Sequence, residues 1–144
     1  TVVDATRDLL VKVLPYHPFL VKPNNHELGD IFGVKLSTRE EVVPYGRKLQ
    51  EMGAQNVLIS MAGEGAVLIA ADGQGMEAPA PKGTLVNGVG AGDSMVAGFL
   101  TGWMEKKDYV HAFHMGIAAG SASAFSENLA TREEIMQVLQ QVEQ

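Results

Sequence analysis

An α/β layer sandwich with a largely parallel sheet is the fold this sequence predicts, and three observations carry the prediction. Short apolar runs, Phe19-Leu20-Val21-Lys22 and Asn56-Val57-Leu58-Ile59-Ser60, are set off by Pro and Gly as buried strands are. Stretches with apolar residues at helical spacing alternate with these runs, the pattern of strands covered by helices. Capping signals stand at the junctions, with Thr38 ahead of Glu41, Asp108 ahead of an apolar stripe, and Thr131 ahead of Glu134.

Val2 to Asp4 reads as the end of a strand, followed by a helix from about Thr6 to Val13 with Leu9, Leu10 and Val13 on one face. Leu14-Pro15 ends it. The run from Phe19 to Lys22 lies between Pro18 and Pro23 and predicts a buried parallel strand. Asn24-Asn25-His26-Glu27-Leu28 then opens a helix that Gly33 closes. Thr38 and Glu41 start a helix that runs toward Met52 and ends at Gly53. Pro44 is expected to kink it or to divide it after a first turn, because proline removes a helical hydrogen bond.

Asn56 to Ser60 is the next strand. Ala66 to Ala71 is expected to pair with the segment around Met76 to Ala80 through an Asp72-Gly73 turn. The Gly-rich stretch from Asn87 to Gly92 leads into an amphipathic helix carrying Met95, Val96, Phe99, Leu100, Trp103 and Met104. Asp108 caps a second helix, with Val110, Phe113 and Ile117 as its buried stripe. The small residues Ala118-Ala119-Gly120-Ser121-Ala122 let a neighbour approach it closely. The helix after Thr131 carries Ile135, Val138, Leu139 and Val142, and Met61, Met95, Met104 and Met115 are read as core filling.

The 144 residues fit one domain, and 46% hydrophobic residues supply a real core. A net charge of −6 argues against nucleic acid as a partner, since phosphate-backbone binding rests on clustered Lys and Arg. No apolar run approaches the roughly 20 residues of a membrane span, and the first residues lack a signal-peptide pattern. The reading is therefore a protein without a membrane partner. The absence of cysteine excludes a disulfide framework and fits a cytoplasmic setting. The missing initiator methionine and an opening that reads as a strand already under way predict a piece of a longer protein.

Gly88-Val89-Gly90-Ala91-Gly92-Asp93-Ser94 carries the chemistry. Alternating glycines remove the Cβ atoms that would crowd a bound group, so that successive N–H groups turn toward one anion at the positive end of a helix. Phosphoryl transfer needs such a cradle and a carboxylate to accept the proton of the attacking hydroxyl, and Asp93 stands where that carboxylate belongs. Neither the Walker pattern nor the Rossmann fingerprint is present. Taken alone, the stretch also reads as a tight turn with Asp93 as N-cap.

Lys22-Pro23-Asn24-Asn25-His26-Glu27-Leu28, Ser60-Met61-Ala62-Gly63-Glu64-Gly65-Ala66 and Gly90-Ala91-Gly92-Asp93 occur in this order along the chain. With them the chain resembles the C-terminal part of the ribokinase-like carbohydrate kinases. The resemblance implies a three-layer α/β sandwich with a mostly parallel sheet, of which residues 1–144 are the nucleotide-binding and catalytic half. The N-terminal half and its β-sheet lid lie outside the chain. It makes Asp93 the catalytic base, in contact with the substrate hydroxyl, and Gly90, Ala91 and Gly92 the anion-hole amides. ATP would lie along Ser60, Met61, Ala62, Gly63, Glu64 and Gly65 and against Gly92 and Asp93, with Ala119 to Ser123 bordering the adenine. Asn24 and Glu27 would hold Mg²⁺ through water. By spacing alone, Asn24 and Glu27 read as a helix cap with an exposed Glu, Ser60 to Gly65 as a plain strand turn, and Ala119 to Ser123 as ordinary helix packing.

Val89 to Val96 and Leu129 to Glu134 look most like the bacterial members that phosphorylate a ketohexose phosphate. Fructose 1-phosphate is the favoured acceptor and fructose 1,6-bisphosphate the product, with tagatose 6-phosphate and fructose 6-phosphate as alternatives. A second copy is an expected partner through the lid, and this chain by itself is expected to be inactive. Many members place Asp six residues before the catalytic Asp where this chain has Asn87, so the resemblance implies nothing about potassium. His111 and His114 have no third ligand in view and read as ordinary helix residues. A non-enzymatic nucleotide-binding module is the rival from another class; Asp93 argues against it, since binding needs no base.

Overall fold

The computed structural model describes residues 2–3, 7–61, 64–79, 91–124 and 132–143. The chain divides into two compact units, Thr1–Pro79 and Ala80–Gln144.

The first unit contains β1 (Val2–Val3), α1 (Arg7–Val13), a 3-10 turn at Leu14–Tyr16, β2 (Leu20–Val21), α2 (Asn25–Phe32), α3 (Arg39–Met52), β3 (Asn56–Ser60), β4 (Ala66–Ile69) and β5 (Gly75–Ala78). Its five strands form one sheet in chain order. β1 and β2 pair in parallel, as do β2 and β3, because helical crossovers join them. β3, β4 and β5 pair antiparallel, which short turns permit. Four of the five described strands therefore run in one direction and β4 is reversed, a mixed sheet that is largely parallel in strand direction as expected. The expected pairing across Asp72-Gly73 supplies part of the antiparallel half, running from Ala66 opposite Ala78 to Ile69 opposite Gly75.

Val57 and Ile59 of β3 and Val67 and Ile69 of β4 are fully buried in one cluster with Leu10, Leu14, Leu28, Val42 and Leu49 from the helices. Each such side chain contributes roughly 1.5–3 kcal/mol relative to exposure. Leu58 and Leu68, directly opposite each other on the other face, are equally buried. Asn56 is the fully buried polar residue of this core, and its amide is satisfied at both ends. Nδ2 donates to the Phe19 carbonyl at 2.8 Å, and Oδ1 accepts from the Ala71 N–H at 2.7 Å.

Helix α3 runs undivided through Pro44. Pro44 and Glu40 face solvent, so water can satisfy the carbonyl that loses its helical donor. The helix is held on its other side by buried Val42, Gly46 and Leu49 and at its start by the Thr38–Glu41 capping box.

The second unit contains α4 (Ala91–Lys106), α5 (Tyr109–Ala124) and α6 (Arg132–Glu143). Asp108 caps α5 as expected, its Oδ1 accepting from the Val110 N–H at 2.9 Å. α4 and α5 meet along small residues: a Cβ on Gly102 would lie 2.9 Å from the Ala112 Cα, and one on Gly116 3.0 Å from the Met95 carbonyl oxygen. That seam shifts the buried face away from two expected positions. Met104 is 75% exposed and Val110 43% exposed, because α4 turns Gly98, Phe99 and Gly102 inward and the buried face of α5 begins at Ala112. Phe113, Ile117, Met61 and Met115 are buried as expected. Leu139 of α6 packs with Met115 and Ala118, flanked by Ile135 and Val138; Thr131 lies outside the described residues. Among the described residues no helix is long and apolar enough to cross a membrane.

Candidate functional site

In the first unit the candidate residues gather where β2 and β3 end. The chain leaves β2 through Lys22 and Pro23, both buried, and Asn24 makes a parallel bridge to Ser60, the last residue of β3. The Ser60 N–H donates to the Pro23 carbonyl at 3.1 Å. The Asn24 segment and the Ser60 turn are therefore neighbours at the carboxyl ends of adjacent parallel strands, where α/β sheets place their ligands.

Asn24 is the N-cap of α2, in extended conformation. Its Oδ1 accepts from the Glu27 N–H at 2.7 Å, and Glu27 Oε1 accepts from the Asn24 N–H at 2.9 Å. This reciprocal capping box satisfies two backbone donors at the helix start. It occupies one oxygen of each side chain, leaves the second Glu27 oxygen outside the box, and leaves Glu27 partly exposed. Among the described residues no group of three His, Asp or Glu could hold a metal directly. The donor set that remains suits an ion reached through water.

After Ser60 the chain reverses: the Met61 N–H donates to the Gly65 carbonyl at 2.9 Å, and the Glu64 N–H to the Met61 carbonyl at 3.0 Å. Gly65 has φ of 97°, a conformation that a side chain would strain. Met61 is buried in the core cluster and Glu64 is exposed, so Met61 can offer a ligand only its backbone. Ala62 and Gly63 lie outside the described residues.

In the second unit Ala91, Gly92 and Asp93 form the first turn of α4, and Gly90 and Asn87 lie outside the described residues. Asp93 is the third residue of this helix, inside its first turn and not in the capping position. Ala119 is committed to packing, since a Cβ on Gly98 would stand 2.6 Å from its own Cβ. That accounts for Ala119 without a ligand. His111 lies 3.8 Å from Glu105 and joins no metal cluster among the described residues.

The burial of one residue beside these is not what its type predicts. Lys22 is only 7% exposed, and a lysine is rarely so buried without a partner. The signal was a lysine closing an otherwise apolar strand, one residue before the Pro23-Asn24 step.

Comparison with known proteins adds an independent line. Residues 2–136 match the profile of the pfkB family carbohydrate kinases. The chain is 50% identical over 141 residues to a Bacillus subtilis protein named 1-phosphofructokinase, covering 98% of this chain and 46% of the relative. It is 33% identical over 143 residues to a Klebsiella oxytoca protein named D-tagatose-1-phosphate kinase, covering 99% of this chain and 46% of the relative. The crystal structure of a Staphylococcus aureus protein assigned as a phosphofructokinase superposes with a TM-score of 0.92 at 42% identity, covering 97% of this chain and 45% of that one. The chain thus spans about half the length of the relatives it matches, and its fold is that of the ribokinase-like kinases. By its sequence along nearly its whole length and by its fold, the chain belongs to the pfkB family of carbohydrate kinases.

Proposed function

We propose that the protein to which this chain belongs is an ATP-dependent sugar-phosphate kinase. It would transfer the γ-phosphoryl group of ATP to fructose 1-phosphate, giving ADP and fructose 1,6-bisphosphate. The observation that carries the reading is Asp93 inside the first turn of α4, directly behind Ala91 and Gly92. A carboxylate there can take a proton from an attacking hydroxyl while the N–H groups of the same turn receive charge on the transferred phosphoryl oxygens. Gly90, Ala91 and Gly92 supply those donors.

The second support is the neighbourhood of Asn24, Glu27 and Ser60 at the ends of β2 and β3. Ser60 to Gly65 is the proposed wall for the nucleotide phosphates and ribose, chiefly through backbone groups. Mg²⁺ fits here through water, held by the free oxygen of Glu27 and the polar cap around Asn24; when bound it supplies positive charge to the phosphates. In this reading the chain's own residues orient ATP, accept the hydroxyl proton and stabilise charge. The acceptor sugar is positioned by residues beyond this chain, in a cytoplasmic enzyme.

Fructose 1-phosphate is preferred because the 50%-identical relative carries the name 1-phosphofructokinase. D-Tagatose 1-phosphate is the second reading, favoured by the Klebsiella relative. The test is phosphoryl transfer by the intact protein and its Asp93→Asn variant, with fructose 1-phosphate, D-tagatose 1-phosphate, fructose 6-phosphate and tagatose 6-phosphate as acceptors. A preference for fructose 1-phosphate, with kcat reduced by about 10²–10⁴ in the variant while ATP still binds, is the expected result. Unchanged turnover in the variant would remove Asp93 from the mechanism.

A further inference from the structure

Strand β5 is the last strand of its sheet among the described residues, with β4 on one side only. Gly75 and Glu77 are exposed, Met76 is half-buried and Ala78 is buried. A free edge of this kind is a template for another strand. What recommends a particular occupant is the charge laid beside it by α3.

Gly75 stands opposite Ile69, and Glu77 opposite Val67, so both face the side of the sheet on which α3 packs, since directly paired residues share a face. Two arginines of α3 reach that side of β5. Arg39 Nη1 lies 3.8 Å from Glu77 Oε1. Arg47 Nη2 lies 3.4 Å from the point where a Cβ on Gly75 would be, and Arg47 forms no ion pair among the described residues. The edge therefore presents an acid at position 77 and, two residues away, an open glycine under an uncommitted guanidinium.

We infer that β5 is a self-complementary docking edge for a second copy of this chain, pairing antiparallel about Met76 so that Glu77 of each copy lies against Arg47 of the other. With Met76 opposite Met76 of the second copy, an antiparallel register puts Gly75 opposite Glu77. A two-fold axis repeats the contact. Gly75 has no side chain to obstruct the incoming carboxylate, and the two methionines meet on the opposite face. Glu77 alone would discourage edge pairing, but between Arg39 of its own copy and Arg47 of the other it is matched. Any other register breaks this match. Four residues make a short ladder, so the association is weak and concentration-dependent.

Sedimentation velocity of the full chain over a range of concentrations, at low and high salt, tests the pairing. The expected result is a dimer fraction that rises with concentration and falls with salt. Arg47→Glu and Glu77→Arg should each weaken it by roughly tenfold, because two symmetric pairs become repulsive. The double variant Arg47→Glu/Glu77→Arg should restore it, which a merely misfolded single variant would not allow. Because the chain contains no cysteine, an introduced thiol reports the register: Met76→Cys should form a disulfide-linked dimer under mild oxidation and Gln74→Cys should not. A monomer at every concentration, or a dimer indifferent to both single substitutions, would overturn the inference. Cross-linking through Gln74→Cys in place of Met76→Cys would overturn its register.

Discussion

A methyl group on Gly98 would stand 2.5 Å from the carbonyl oxygen of Met115, closer than a real Cβ comes to backbone. Gly→Ala inside a helix ordinarily gains about 1 kcal/mol from propensity. Here it must force α4 and α5 apart, since the Ala119 Cβ blocks the same space at 2.6 Å. We expect Gly98→Ala to destabilise the chain by about 1–3 kcal/mol, while Thr101→Ala, exposed on the same helix, stays within about 0.5 kcal/mol. Urea unfolding of the two variants checks the contrast, and a stabilised Gly98→Ala would mean that the seam is looser than described.

The amide of Asn56 ties β3 to the segments on both sides of it. Removing it in Asn56→Ala leaves the Ala71 N–H without its acceptor and the Phe19 carbonyl with only the Asn56 N–H as donor. The expected loss is roughly 1–3 kcal/mol, from two lost hydrogen bonds and the buried volume left unfilled. Asn56→Asp should fare no better, since the carboxylate keeps an acceptor for Ala71 but faces the Phe19 carbonyl with no donor. Thermal unfolding measures both, and an Asn56→Asp protein as stable as wild type would contradict the described bonding.

Glu41 provides a test in pH. Its carboxylate accepts from the backbone N–H groups of Ser37 and Thr38, and these bonds hold its pKa below the usual carboxylate value. The folded value lies below the unfolded one, so the contribution of Glu41 is fully present above the unfolded pKa and is lost as pH falls through the folded pKa. Glu41→Gln should remove that part of the acid-side loss of stability and leave the remainder of the pH profile in place. The effect is small, because the group is exposed and solvent screens it. Chemical denaturation from neutral to acidic pH compares the two proteins, and parallel profiles would show that the hydrogen bonds do not persist in solution.

Local rules were the legible part of this sequence. The Asn24, Thr38 and Asp108 caps and the Asp72-Gly73 turn depend on residues within a few positions, and each lies where its short-range chemistry puts it. Met104 and Val110 are exposed against the helical pattern because period alone does not say which arc a neighbour covers. Gly98, Gly102 and Gly116 decide that, by drawing α4 and α5 close. Pro44 does not divide α3, because its exposed flank lets water satisfy the carbonyl that loses its donor. At the candidate site, Asn24 and Ser60 are 36 residues apart in sequence and become neighbours only through parallel pairing. No spacing rule connects them, and the family resemblance alone grouped them beforehand.

The Asn24–Glu27 pair invites two accounts, a cap and a metal station, that a single pair of substitutions separates. Glu27→Gln retains an oxygen that can accept from the Asn24 N–H, so the capping box survives and stability should change by less than about 0.5 kcal/mol. What it loses is charge, and a water-mediated hold on Mg²⁺ depends on charge. Asn24→Ala loses the cap itself and should cost about 1 kcal/mol. In the intact protein, the Mg²⁺ concentration that supports half-maximal phosphoryl transfer should rise for Glu27→Gln at nearly unaltered melting temperature. If instead Glu27→Gln melts as early as Asn24→Ala and its Mg²⁺ dependence matches wild type, the pair caps α2 and does nothing for the metal. One Glu27 oxygen is committed to the backbone of Asn24 at 2.9 Å, and only the other can serve a ligand.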